Sequence, residues 1–251
     1  MARDRTAWLK GGEARCLEGP AATRDPKRLV LLGPPGVGKG TQAELLSGHF
    51  GACHLSTGDV FRTVAKLDAD QRSPAMETAL QSMRQGGLLS DDMVLGVVRE
   101  RGRCFKCGGG FLLDGFPRTV EQARALDALL GAEGVELTGV IAYDLPVDRL
   151  VARLSGRRVC PRCNAVFHHD THPPRTEGIC DPCGAALVQR EDDRPEAVCK
   201  RLRICRSTLE PVIRHYEEKR ILIEVSAQGT VREVFGRTLR ALSESCSDSI
   251  A

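Results

Sequence analysis

The stretch GPPGVGKGT, Gly33 to Thr41, sets a glycine-rich turn directly before a lysine. Between a strand and a helix, such a loop turns backbone N–H groups inward around phosphate oxygens. The helix N-terminus adds partial positive charge, and Lys39 adds a full one. The usual pattern then requires Ser or Thr, whose hydroxyl takes Mg²⁺. Here Gly40 follows Lys39, and Thr41 comes one position late. A phosphate enzyme built this way must stabilise charge with other groups.

Two further sets of residues carry chemistry. Cys160-x-x-Cys163 and Cys180-x-x-Cys183 are paired knuckles with 16 residues between them. That spacing predicts four thiolates around one tetrahedral cation. Four cysteines leave no open coordination position, so the ion is structural, and zinc is expected; iron fits the same thiolates. Arginine is the other set: 29 of the 36 basic residues are Arg. Codon bias accounts for much of this excess, so position must single out the arginines that grip phosphate with a bidentate fork.

The elements that position these groups alternate. Arg28–Leu32 is a short apolar run entering the loop, a buried parallel strand, and a helix follows to about Phe50. ACHLS, TGVIAYDLP and ILIEVSA read as further strands, and GFLLDGFPRT as a strand running into a turn. Helices are expected over STGDVFRTVAKL, SPAMETALQSMRQ with Pro74 in its first turn, SDDMVLGVVRER, TVEQARALDALL capped by Thr119, VDRLVARLSG and TVREVFGRTLRALSE. RPEAVCKRLRICRSTLEPVIRHYEEKR is one long helix or a bent pair around Pro211. This alternation predicts an α/β fold with a parallel sheet flanked by helices. Two stretches break the rhythm, a helical one at 57–88 and a Cys-rich one at 156–193. Both read as inserts on one core.

Composition excludes little. A chain of 251 residues with 41% hydrophobic and 27% charged residues is ordinary for a globular protein. No apolar run is long enough to span a membrane. A net charge of +3 does not by itself imply a nucleic-acid partner. Residues 1–27 lack periodicity and an export-type apolar core, and read as a disordered tail or an over-extended start; 246–251 read as a frayed end. Without an export signal, eleven cysteines point to metal rather than disulfides, and to the cytoplasm. Cys104-x-x-Cys107 has no partner knuckle and reads as incidental. Cys16, Cys53, Cys199, Cys205 and Cys246 read as packing or surface thiols. His168, His169 and His172 cluster beside the four cysteines without being needed as ligands.

GPPGVGKGTQA, STGDVFR, LLDGFPRT and QREDDRPEAVCKRL, in this order, resemble the adenylate kinase family over about residues 28–240. The resemblance implies a P-loop core (28–56, 89–155, 194–245), a monophosphate-binding insert at 57–88 and a zinc-type lid at 156–193. It implies the reaction of ATP·Mg with AMP to give two ADP, by a monomer. Lys39, Arg118, Arg157, Arg190 and Arg201 then act on the transferring phosphoryl group, and Asp114 holds waters of Mg²⁺. The ATP side is implied to comprise Gly36, Val37, Gly38, Lys39, Gly40, Thr41, Arg153, Arg157 and Gly229. The AMP side comprises Thr57, Arg62, Leu88, Leu89, Gly115, Arg118, Gln122, Arg190 and Arg201, with Gln122 against adenine. Asp192 and Asp193 orient arginines across the lid hinge. Lids with this cysteine spacing occur in a zinc-bearing branch, whose members also resemble Phe167-His168 and His172-Pro173-Pro174.

Two rivals remain at this point. One is a related phosphotransferase that uses GTP as donor or another monophosphate as acceptor. The other is a nucleic-acid-binding zinc-ribbon protein that kept a P-loop, which leaves DGFPRT and the arginines at both inserts unexplained.

Overall fold

The computed structural model describes residues 25–64, 72–84, 90–100, 105–106, 108–163, 165–190 and 193–247. Leu88, Leu89, Cys16, Cys104, Cys107 and Asp192 lie outside them, as do the side chains of Arg62 and Cys246. In chain order the elements are β1 (Lys27–Leu32), α1 (Lys39–Phe50), β2 (Cys53–Ser56), α2 (Thr57–Val64), α3 (Pro74–Arg84), α4 (Asp91–Arg99) and β3 (Gly110–Asp114). Then follow α5 (Val120–Ala132), β4 (Gly139–Asp144), α6 (Val147–Ser155), β5 (Arg157–Val159), β6 (Val166–His168), α7 (Pro195–Glu218), β7 (Leu222–Ser226) and α8 (Val231–Ser247).

Five strands form one sheet in the order β2-β3-β1-β4-β7, and every pairing in it is parallel. β1 lies in the middle because its Leu-Val-Leu-Leu run can be buried on both faces. Alternate residues serve opposite cores: Val30 and Leu32 join one apolar cluster, Leu29 and Leu31 the other. The same alternation runs through β3, where Phe111 and Leu113 face one core and Leu112 the other. The chain reaches β2 on one side of β1 and β4 on the other. β1 is therefore a switch point, and ligands bind outside the strand ends at such a point.

The sheet and its helices follow the expected α/β pattern, with small boundary differences. β1 starts at Lys27, paired with Gly110, one residue inside the stretch read as tail. α8 runs to Ser247, three residues past the expected end at Glu244. α7 is one helix through Pro211, which lies on its exposed side. There the missing N–H costs least, because water can satisfy the unpaired carbonyl. The Cys-rich stretch builds a small antiparallel sheet from β5 and β6. Among the described residues, no helix is long and apolar enough to cross a membrane.

Candidate active site

The loop after β1 is closed by its own lysine. Lys39 Nζ donates to the carbonyls of Gly33 at 2.6 Å and Pro34 at 2.9 Å. Gly38 caps α1 with φ 104°, a left-handed conformation that side chains resist. A Cβ on Gly33 would stand 2.6 Å from the Tyr143 carbonyl, so only glycine lets β4 pack this close. Val37 is buried beneath the loop, whereas Thr41, in the first turn of α1, is exposed. Withdrawal from water lowers the Lys39 pKa, and the charge of Asp114 opposes that shift.

Asp114 ends β3 beside this lysine. A Cβ on Gly40 would sit 3.4 Å from its Oδ2, so the space next to Gly40 is bordered by a carboxylate. His54 on β2 brings Nε2 to 3.7 Å from the same oxygen. Burial tends to raise the Asp114 pKa, but the His54 ring and the Lys39 ammonium outweigh it and hold the carboxyl below its usual value.

The turn after β3 gathers a second group. Gly115 O accepts from Arg118 Nε at 2.8 Å and from Thr57 Oγ1 at 2.9 Å. Thr57 comes from the first turn of α2, so the helical insert and the β3 turn meet here. Gln122 lies one helical turn beyond Arg118. Its Oε1 accepts from Arg118 N at 2.8 Å.

On the other side of the loop, Arg153 spans two carbonyls. Nη1 donates to Val37 O and Nη2 to Ala227 O, each at 3.1 Å. Burial lowers its pKa, and Arg149 adds to the shift. Gly229 lies two residues past Ala227, next to a capping box at the start of α8. There Thr230 N donates to Glu233 Oε2 at 2.7 Å, and Glu233 N donates back to Thr230 Oγ1 at 3.3 Å.

Asp193 joins lid to core. It is fully buried and accepts from Arg157 Nε at 2.7 Å and Nη2 at 2.6 Å, a bidentate fork. Arg201 Nη1 reaches the same carboxylate at 3.2 Å. Arg190 is half-buried, and its carbonyl accepts from Asp193 N at 3.0 Å. Thus Arg157 from β5 and Arg201 from α7 converge on one anion.

In the lid, Cys160, Cys163, Cys180 and Cys183 form a set whose sulfurs all lie within 4.8 Å of one another and could hold a metal ion. Cys160 and Cys183 are 3.3 Å apart, Cys163 and Cys180 3.5 Å, too far for disulfides. Backbone N–H groups of Arg162 and Cys163 point at Cys160 Sγ. Burial opposes them, yet they draw that thiol down to about 6. His168, His169 and Asp170 also lie close together. His168 Nδ1, however, already accepts from the N–H of Asp170 and Thr171, and its Nε2 faces Ala152 O at 3.5 Å.

Three residues escaped the sequence reading as parts of this site. The one local signal for His54 is a polar residue in an apolar strand. Asp91, whose Oδ1 accepts from Gln122 Nε2 at 2.6 Å, has in sequence only the place of an ordinary first-turn acid. Cys205 is four residues past Arg201, a spacing that places both on one helix face. Burial raises its thiol pKa, and the charges of Lys39, Arg118 and Arg201 oppose that.

A family model described as adenylate kinase matches residues 31–221. The chain is 42% identical over 217 residues to the adenylate kinase of Carboxydothermus hydrogenoformans, covering 86% of this chain and all of that one. It is 45% identical over 215 residues to that of Anaeromyxobacter dehalogenans, covering 85% and 98%. Against that of Streptomyces avermitilis it is 42% identical over 216 residues, covering 86% and 96%. The matched span takes in the loop after β1, the β3 turn, Asp193 with its two arginines and the four-cysteine set, and the chain belongs to the adenylate kinase family.

Proposed function

We propose that the protein transfers the γ-phosphoryl group of ATP to AMP, reversibly, giving two ADP. The observation that carries this reading is convergence. Lys39, Asp114 and Arg118 meet at the carboxyl edge of the sheet, and one buried carboxylate aims Arg157 and Arg201 from the lid side.

Transfer breaks the bond between the γ-phosphorus and the β–γ bridging oxygen. It forms one bond from an AMP phosphate oxygen to that phosphorus. The attacking oxygen is already anionic, so no general base is needed. Catalysis then rests on positioning and charge stabilisation. The backbone amides of Gly36 to Thr41 and the Lys39 ammonium would hold the ATP phosphates, with Lys39 released from Gly33 and Pro34. Arg153 and Gly229 would border the ATP base and ribose. Arg118 and Arg62 would take the AMP phosphate, with Thr57, Gly115, Leu88 and Leu89 around the nucleoside and Gln122 on the adenine. Asp193 occupies Nε and Nη2 of Arg157, which leaves Nη1 for a phosphoryl oxygen. Arg190 and Arg201 would complete the cationic ring.

The metals fit the residues present. Mg²⁺, bound with ATP, would neutralise phosphate charge, and Asp114 would meet its waters. Zn²⁺ suits the lid: a tetrahedral Zn–S₄ unit has sulfur–sulfur edges of roughly 3.8 Å, near the spacings found. Four reduced thiols also suit the cytoplasm. The insert at 57–88 and the lid at 156–193 would close over both substrates and keep water from the phosphoryl group, in a monomer.

A coupled assay of ATP plus AMP tests the reaction, and absence of ADP would sink it. A donor panel with AMP fixed separates ATP from GTP. Elemental analysis of the purified protein should give one zinc per chain; iron in its place, or no stoichiometric metal, would overturn the zinc assignment.

A further inference from the structure

Gln122 is only 4% exposed, and the oxygen and the nitrogen of its amide each already have one partner. Its Oε1 accepts from Arg118 N at 2.8 Å, and its Nε2 donates to Asp91 Oδ1 at 2.6 Å. A glutamine amide has nearly the same shape either way round, so its neighbours decide which way it faces. Here both neighbours have fixed polarity. A backbone N–H only donates, and a carboxylate only accepts. Turning the amide over would set nitrogen against N–H and oxygen against carboxylate.

Asp91 is itself held in place. Its Oδ2 accepts from Thr119 Oγ1 at 2.9 Å, and Thr119 Oγ1 accepts from Gln122 N at 3.2 Å. Asp91, Thr119 and Gln122 thus close a ring that joins the first turns of α4 and α5. Ser90 caps α4 and presents Asp91 in its first turn.

The amide keeps one N–H and one oxygen lone pair beyond these bonds. On its Watson–Crick edge, adenine offers an N6 amino donor beside the N1 acceptor. A 6-oxopurine offers the reverse, an O6 acceptor beside an N1–H donor. In one fixed pose, adenine meets Oε1 with N6–H and Nε2–H with N1. A 6-oxopurine there sets oxygen against oxygen and N–H against N–H. We propose that Asp91 is a positioning residue that fixes the facing of the Gln122 amide, and so makes the monophosphate site select adenine over 6-oxopurines. The proposal rests on the reading that Gln122 meets the acceptor base.

The test uses the full chain with saturating ATP and either AMP or IMP as acceptor. Calorimetric binding of each monophosphate is measured alongside turnover. Asp91→Asn has nearly the same shape but can offer Gln122 either an oxygen or an amino group. Its AMP KM should rise about tenfold, the order of effect expected for one disturbed buried hydrogen bond. Its ATP KM and its kcat at saturating AMP should stay within about twofold. The AMP:IMP ratio in kcat/KM should fall about tenfold. In a Gln122→Ala background, Asp91→Asn should change that ratio no further. An unchanged ratio in Asp91→Asn, or a further fall in the Gln122→Ala background, would overturn the proposal.

Asp91→Ala covers the case in which Asp91→Asn does not fold. It removes the carboxylate and offers Gln122 nothing in its place, so the amide is free to turn over and the AMP:IMP ratio should again fall about tenfold. An unchanged ratio would overturn the proposal. Wild-type protein that makes ADP equally well from AMP and IMP would defeat this proposal alone. Wild-type protein that makes no ADP from ATP and AMP would defeat the reading of the function beneath it.

Discussion

The phosphate cleft and the lid position their charged groups by opposite means. Around the cleft, Lys39 opens the helix after β1, Asp114 ends β3 and Arg118 lies in the turn beyond it, all set by strands whose Leu, Val and Phe residues are buried on both faces. In the lid, β5 and β6 have three residues each, and the buried cluster is Cys160, Phe167 and Cys180. Such a small apolar cluster contributes little of the stability a fold needs. Geometry in the cleft is a by-product of hydrophobic burial. Geometry in the lid rests on four sulfurs, and would rest on the ion proposed to sit between them. Asp193 carries the placement from one region to the other.

If that contrast holds, changing the cleft should destroy chemistry and spare the fold. Arg118→Lys keeps the charge and loses the fork. Turnover should fall by about two to three orders of magnitude, the size seen when one donor to a developing oxyanion is removed. Arg118 is exposed, so thermal melting should barely move. Near-wild-type turnover would remove Arg118 from the site.

Changing the lid should do the converse. Cys180→Ser takes one thiolate from the set and should release the metal. Turnover should fall roughly tenfold or more, since an open lid admits water and loses the aim of Arg157. Far-ultraviolet circular dichroism should keep the signal of the core helices, while hydrogen exchange in 157–188 should speed up. Unfolding of the whole chain would erase the contrast between the regions.

Asp193→Asn probes the joint between them. The amide cannot pair with two guanidinium groups as the carboxylate does. Arg157 and Arg201 should lose their common direction, and turnover should fall by about tenfold at unchanged zinc content. A zinc loss equal to that of Cys180→Ser would mean that lid stability, too, runs through Asp193.

The two regions also differ in how far the sequence disclosed them. The strands were legible because a parallel sheet demands unbroken apolar runs, as in Leu29–Leu32 and Phe111–Leu113. Thr119 was legible as a cap, and its hydroxyl does accept from Gln122 N. The four cysteines were legible because ligand spacing is local. What stayed hidden joins distant residues. Gln122 and Asp91 are 31 positions apart, and nothing in the spacing says that their side chains touch. His54 meets Asp114 only because β2 pairs with β3 in the register Ser56 to Asp114. The short lid strands were hidden for another reason: three residues are too few to show a period of two.

The smallest effect belongs to Gly40, where a phosphate loop ordinarily carries a hydroxyl. Its neighbours explain the glycine without backbone strain. Gly40 lies in the first turn of α1, and its conformation is not left-handed. A Cβ there would stand 3.4 Å from Asp114 Oδ2, an ordinary contact. Gly40→Ser is therefore expected to fold, and the better helix former should add a few tenths of a kcal/mol to stability. The new hydroxyl would lie within reach of the Asp114 carboxylate. It would compete for the oxygen proposed to meet Mg²⁺ waters. Turnover should fall by about twofold to fivefold at low Mg²⁺ and recover as Mg²⁺ is raised. A fall that Mg²⁺ does not relieve would point to crowding of the phosphates instead. Wild-type activity at every Mg²⁺ concentration would show that the position tolerates a hydroxyl, and that Asp114 alone sets the demand for the metal.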